Sequence, residues 1–398
     1  MLRFAALIVL AVTLAGCAAG NPTAPAPAAI TRTASAAPVS PPAQDAISEI
    51  HMFDALHGWG WSQDLGGNSR LMVTDDGGLS WADRSPVGYA FDRQGASFLD
   101  AAHAWLPTFT AAAQAGLLRT SDAGQTWSAA PSAGGPYMAY DFRSATDGIA
   151  SGAVRGAGNA DVRFYETHDG GMSWDRVPVI PQTAEGRPAA TIHICSICGD
   201  TVSLSLPGRL IVTHGYLAGD PQGVVRLSVS QDLGRAWNDL RLPMPSTAFR
   251  RAAGDPDAPK FFDDRTGVLP VHIFEGRDST SYSYRLLALY STRDGGQTWS
   301  AGAGVAADVQ VYEPALDVVS PTVAIVRCGD SLCTTTDQGQ TWTMVKPDLD
   351  FGEFGGERQL IQIDFIDPQT GWAVIDDDDL YQLYKTTDGG ATWRRPGK

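Results

Sequence analysis

Basic residues are scarce in this 398-residue chain: Lys and Arg total 29 against 44 Asp and Glu, a formal net charge of -15. That balance repels polyanions and anionic membrane surfaces, which excludes nucleic acid as an expected partner. Cysteine is scarce as well, with five in all, and no stretch beyond the N-terminus shows sustained helical periodicity. The chain also lacks a Gly-x-Ser-x-Gly elbow, a His-Glu-x-x-His pair and a Gly-x-x-x-x-Gly-Lys-Ser/Thr phosphate loop, so it offers none of the local motifs that announce those chemistries.

The first residues, MLRFAALIVLAVTLAGCAAG, carry one Arg, then an apolar run of about a dozen residues, then small residues ending in Cys17. The run is short of the roughly 20 residues that span a bilayer and has the layout of a cleavable export signal over residues 1–16. Leu14-Ala15-Gly16-Cys17 resembles a bacterial lipoprotein signal, which implies cleavage ahead of Cys17 and lipid on its sulfur and new amino group. Residues 17–45, rich in Ala, Pro, Ser and Thr, cannot bury enough surface to offset their ordering entropy and are expected to form a disordered tether. The folded part is expected over 46–398, outside the cytoplasm and tied to the membrane by the lipid alone.

That folded part repeats. TDDGGLSW, TSDAGQTW, THDGGMSW, SQDLGRAW, TRDGGQTW, TTDQGQTW and TTDGGATW place Asp76, Asp122, Asp169, Asp232, Asp294, Asp337 and Asp388 at one position of a Ser/Thr-x-Asp-x-Gly-x-x-Trp unit. A second pattern precedes each copy: MFDALHGW, FLDAAHAW, FRSATDGI, CSICGDTV, FFDDRTGV, LDVVSPTV and FIDPQTGW. Ten of the eleven tryptophans fall on these two patterns, leaving Trp61 outside. Short segments rich in aromatic and β-branched residues, four to a unit and separated by turn residues, predict an all-β seven-bladed β-propeller of four-stranded blades.

The Ser/Thr-x-Asp-x-Gly-x-Thr-Trp unit resembles the Asp-box, or BNR repeat, of sialidases, sortilin-type receptors and photosystem II stability and assembly-factor-like proteins. Paired with the upstream Phe-x-Asp-x-x-x-Gly-Trp segment it is most similar to the last group. The resemblance implies that the seven aspartates are structural, each in the turn between the third and fourth strands of a blade. Asp can accept backbone N–H bonds there, Gly can take positive φ, and Trp can pack beside the next strand. Chemistry also needs its acid once per site rather than once per blade.

Function is therefore expected elsewhere. Cys195 with Cys198, and Cys328 with Cys333, are expected to form local disulfides in an exported protein. Asp376 to Asp379 read as a solvated hairpin tip rather than a calcium site. Units three, four and five carry extra residues between their second and third strands, on the face away from the box turns. Tyr216, Glu275, Arg277, Asp278, Tyr282 and Tyr284 are the candidate binding residues there. A sialidase-like glycosidase is the alternative, with Arg209 as a candidate carboxylate ligand. The resemblance to that enzyme stops short of its arginine triad, since the only arginine between Asp45 and Thr74 is Arg70. The expectation is a non-catalytic scaffold for a protein or glycan partner, with no cofactor and no metal.

Overall fold

The computed structural model describes residues 29–31, 47–63, 68–91, 93–109, 115–134, 138–156, 159–177, 201–206, 208–214, 223–232, 236–248, 252–275, 284–306, 315–353, 356–378 and 380–397. Within them the chain is a seven-bladed β-propeller, each blade an antiparallel meander built from one contiguous stretch. Blade one runs Ile47–Met52, Gly58–Gln63, Ser69–Thr74 and Ala82–Asp83 from the axis outward. Blades two, three and four end on the outer strands Thr126–Pro131, Asp175–Val177 and Asn238–Pro243, and blades five and six on Ser300–Ala301 and Thr343–Val345. Blade seven has three full strands, Arg358–Phe365, Gly371–Asp377 and Leu380–Thr386, and a fourth reduced to the bridge between Lys385 and Arg394. The expected signal peptide, Cys17 and the Cys195–Cys198 segment lie outside the described residues. Part of the expected tether, Ala29–Thr31, is a strand against the outer strand of blade two.

The box turns explain why the blades resemble one another. All seven box Ser or Thr side chains are buried: Thr74, Thr120, Thr167, Ser230, Thr292, Thr335 and Thr386. A buried hydroxyl must find partners, and each donates to Oδ1 of its box aspartate at 2.8–2.9 Å. In six boxes it also accepts the N–H of the glycine that stands two residues after the aspartate. The aspartate reaches forward too: its Oδ2 accepts the hydroxyl of Ser80, Thr126, Ser173, Thr298, Thr341 or Thr392. In blade four Ala236 supplies only its backbone N–H. The box is then tied to the turn between the first two strands, as Gly77 N donates to Leu56 O and Gly295 N to Arg265 O, both at 2.8 Å.

Between blades lie the hydrophobic clusters. Trp59, Trp61 and Leu71 of blade one meet Leu106, Leu118 and Trp127 of blade two, and Trp372 and Val374 of blade seven meet Ile50, Met72 and Trp81 of blade one. The indole N–H groups reach across the same gaps: Trp105 donates to Gly170 O, Trp372 to Gly77 O and Trp127 to Arg84 O. Tryptophan recurs because it fills these gaps with apolar area, and in several blades its N–H also reaches the neighbour, whereas Trp299 and Trp393 donate to Gly296 O and Gly390 O of their own box turns.

Two of the upstream windows need correcting. In blade six Val318 pairs with Ala324, which pairs with Thr335, so the frame starts at Val318 and not at Leu316. In blade four Leu210 pairs with box residue Ser230 and the inner strand is Thr201–Leu206, so Val202 is not the start of the second strand. Neither blade has the Gly-Trp pair that marks this point in blades one and seven, and the frame is set instead by pairing with the third strand. The Cys328–Cys333 disulfide closes the hairpin between the second and third strands of blade six, with Cα atoms 5.9 Å apart.

If the box aspartate acts through these bonds, Asp294→Ala leaves the buried Thr292 hydroxyl without its acceptor and costs about 1–3 kcal/mol in chemical unfolding. Asp232→Ala in blade four, where one bond is already missing, costs less. Equal losses would contradict this reading.

Candidate functional site

The inner strands converge on the propeller axis, and register places one residue of each at the same level. His51, Ser97, Asp141, Ser203, Lys260, Asp317 and Asp364 each pair with the residue that opens the equivalent stretch of a second strand: Trp59, Trp105, Ile149, Ile211, Val268, Ile325 and Trp372. They form an axial ring near the box-turn end, one residue per blade. Five of them touch the following blade's inner strand. Ser97 Oγ accepts Phe142 N at 3.0 Å, Asp317 Oδ2 accepts Phe365 N at 2.6 Å and Asp364 Oδ2 accepts Met52 N at 2.7 Å. Lys260 Nζ stands 3.9 Å from Asp317 Oδ1, and the His51 ring packs against Phe98 with centroids 5.2 Å apart.

The ring is electrostatically uneven. Burial pushes the Asp317 carboxyl up, against the pull of Lys260, the Phe365 N–H and His51. Asp364 goes further: burial, reinforced by the Asp317 charge, outweighs the Met52 N–H, His51 and Lys260 and lifts its pKa to about 7. Two carboxyls deprived of water and facing each other resist carrying two charges. Beside them, a hydrogen bond from His51 is the main cause that holds Glu49 below its ordinary value. Such a ring can hold and release a proton near neutral pH. Its carboxyls are nonetheless engaged by main-chain N–H groups, which is a structural use.

A second set of side chains works at the box-turn face. Arg119 Nη1 donates to Asp169 O and Gly170 O, each at 3.2 Å, from blade two to blade three. Arg209 Nη1 donates to Asp264 O at 3.0 Å and Gly295 O at 3.3 Å, from blade four to blade five. Lys385 Nζ donates to Ala55 O at 3.0 Å from blade seven to blade one, and lies 4.5 Å from the Trp372 ring centroid. The glycines below them follow from this: a Cβ on Gly77 or Gly170 would come within 2.8 or 2.6 Å of the cation, and one on Gly295 would collide with the Arg209 guanidinium. In blades two and six, the same position holds Ala123 (φ 56°) and Gln338 (φ 66°). Arg209, read in sequence as a candidate carboxylate ligand, is one of three such inter-blade latches among the described residues.

The other candidates are placed as follows. Glu275 ends the second strand of blade five and Tyr284 begins its third, at the end away from the box turns; their side chains, and Tyr216, Arg277, Asp278 and Tyr282 entirely, lie outside the described residues. The insertion of unit three becomes a long hairpin, Gly148–Gly156 with Asn159–Thr167. Asp376 and Asp377 belong to the second strand of blade seven and Asp378 to its turn; Asp377 pairs with Arg358 and accepts Gln382 Nε2. Among the described residues no group of three or more His, Cys, Asp and Glu could hold a metal ion. The ring is not legible in the sequence, because its identity varies from blade to blade. Its only signal is a position, one residue ahead of the apolar start of the upstream pattern.

Two expected outcomes follow from this geometry. A carboxyl with a raised folded pKa adds stability that is whole below the unfolded value of about 4 and is lost as pH rises through the folded value; for Asp364 the loss is complete above about 7. The box carboxylates do the reverse. For Asp294, burial would raise the pKa, but bonds from Thr298, Thr292 and Gln297 outweigh it and hold it low, so its contribution is present above about 4 and lost as pH falls below that. The melting temperature should peak in mild acid, and Asp364→Asn should flatten the decline toward neutral pH while leaving the acid limb; an unchanged neutral limb would contradict this. Secondly, Arg209→Ala should cost about 1–2 kcal/mol. Gly295→Ala should cost less in that background than in the wild type, because the clashing guanidinium has gone; strict additivity would contradict the latch.

No protein-family model and no curated protein matches the sequence. Solved structures similar to it include an ulvan lyase of a new polysaccharide lyase family bound to -[GlcA(1-4)Rha3S]-, at 11% identity over 88% of this chain and 94% of that one, with a TM-score of 0.50. YCF48 from Cyanidioschyzon merolae is 18% identical over 87% and 96% of the two chains, with a TM-score of 0.49. YCF48 bound to D1 peptide is 18% identical over 87% and 94%, with a TM-score of 0.48. At these identities the likeness is one of fold, and the fold that this chain has is the seven-bladed propeller.

Proposed function

We propose that the chain is an exported lipoprotein, anchored through Cys17, whose propeller is a non-catalytic scaffold holding a protein or glycan partner on the face away from the box turns. One observation carries the non-catalytic part: groups that would be called on for chemistry are already engaged. The box aspartates are held within their own turns, and Arg209 is spent on the carbonyls of Asp264 and Gly295. A glycosidase of the sialidase kind needs several arginines converging on a substrate carboxylate, and the arginine best placed in sequence is directed at blade five instead. The box-turn face also carries the strand turns and latches, whereas the second and third strands of blades three, four and five, which flank the extra residues, meet at the other end.

The test is photo-crosslinking of the full chain in its own membranes, with the crosslinker at Tyr282 or at Ser80. The proposal expects a discrete adduct from position 282 and none from position 80. Adducts from the box-turn face alone, or turnover of a fluorogenic sialoside that is lost in Arg209→Ala, would overturn it. Cys17→Ala should move the protein from the membrane to the soluble fraction.

A further inference from the structure

The outer edge of a propeller blade presents unpaired N–H and C=O groups and must be shortened, charged or covered. Most blades here use the first two devices. The outer strands of blades one and five have two residues each, that of blade three carries Asp175 and Arg176, and that of blade four carries Asp239 and Arg241. The outer strand of blade two, Thr126–Pro131, has six residues and no charged side chain. It is also the edge that is covered: Ala29–Thr31 pairs with it antiparallel, Ala29 opposite Ser128, Ile30 opposite Trp127 and Thr31 opposite Thr126.

We infer that the outer edge of blade two is a strand-acceptor site, and that its occupant is this chain's own Ala29–Thr31, so that the segment ahead of the propeller is a leash of two lengths. Extended chain covers at most about 3.5 Å per residue. From Cys17 to Ile47 the free segment could therefore reach about 100 Å, whereas from Cys17 to a docked Ala29 it reaches about 40 Å. Docking brings the rim of blade two toward the anchor and limits how far the binding face can turn away from it. A contact of three residues is small enough to open and close, unlike the full strand pairs inside the blades. The edge itself does not depend on lipid; the leash length does, and rests on the lipoprotein reading above.

The test introduces Ala29→Cys with Ser128→Cys in the full chain, beside a mismatched pair, Ser35→Cys with Ser128→Cys. Peptide mapping without reduction should find the first pair linked and the second at most a minor product. Equal linkage of both, or of neither, would overturn the docking. The matched pair should link as well in a Cys17→Ala background, so this arm stands or falls apart from the anchor. On vesicles of phosphatidylethanolamine and phosphatidylglycerol carrying the lipidated protein, linking should shorten the fluorescence-transfer distance between a labelled blade two and the bilayer. Linkage without shortening would overturn the leash while leaving the strand-acceptor site in place.

Discussion

A propeller has to close, and this one closes between two blades that share no strand. Blade one is made wholly from residues near the start of the folded part and blade seven wholly from its end, so no chain connection holds that seam. Side chains do it instead. Gln362 takes both polar groups of Ile50, accepting its N–H at 2.9 Å and donating to its carbonyl at 2.7 Å, as a neighbouring strand would. Asp364 takes the N–H two residues further on, from Met52. Trp372 completes the seam at the box turn of blade one and Lys385 at the turn between its first two strands.

The same device recurs at junctions where the chain is continuous. Ser97 and Asp317 repeat what Asp364 does, and Arg119 and Arg209 repeat what Lys385 does. Polar side chains that would draw attention in an enzyme cleft are used here to satisfy main-chain groups of the next blade. This is economical because inter-blade contacts must satisfy buried N–H and C=O groups wherever strands of different sheets meet. The result is a fold in which a carboxyl near neutral pKa, an arginine and seven regularly spaced aspartates coexist without assembling around a substrate.

Much of this architecture was legible in the sequence. The box spacing and the placement of tryptophan announced the blade count, because both are local: Asp294 bonds to residues two, three and four positions away. What was not legible depends on other blades. Arg209 gains its meaning from Asp264 and Gly295, and nothing near it in the chain signals them. The frame of blades four and six slipped for the same reason, since only pairing with the third strand distinguishes Leu316 from Val318 as its start. Ala29–Thr31 shows the limit most clearly: composition marks the segment as unable to fold alone, and an edge in blade two supplies the partner.

The central claim is that side chains of blade seven close the ring on the main chain of blade one. Amide hydrogen exchange at Ile50 and Met52 in Gln362→Ala with Asp364→Ala tests it most directly. The account predicts that these two amides exchange at least about tenfold faster than in the wild type, the effect of weakening an opening equilibrium by roughly 1.4 kcal/mol, while the Gly124 amide in the box turn of blade two keeps its protection. Unchanged protection at Ile50 and Met52 would contradict it.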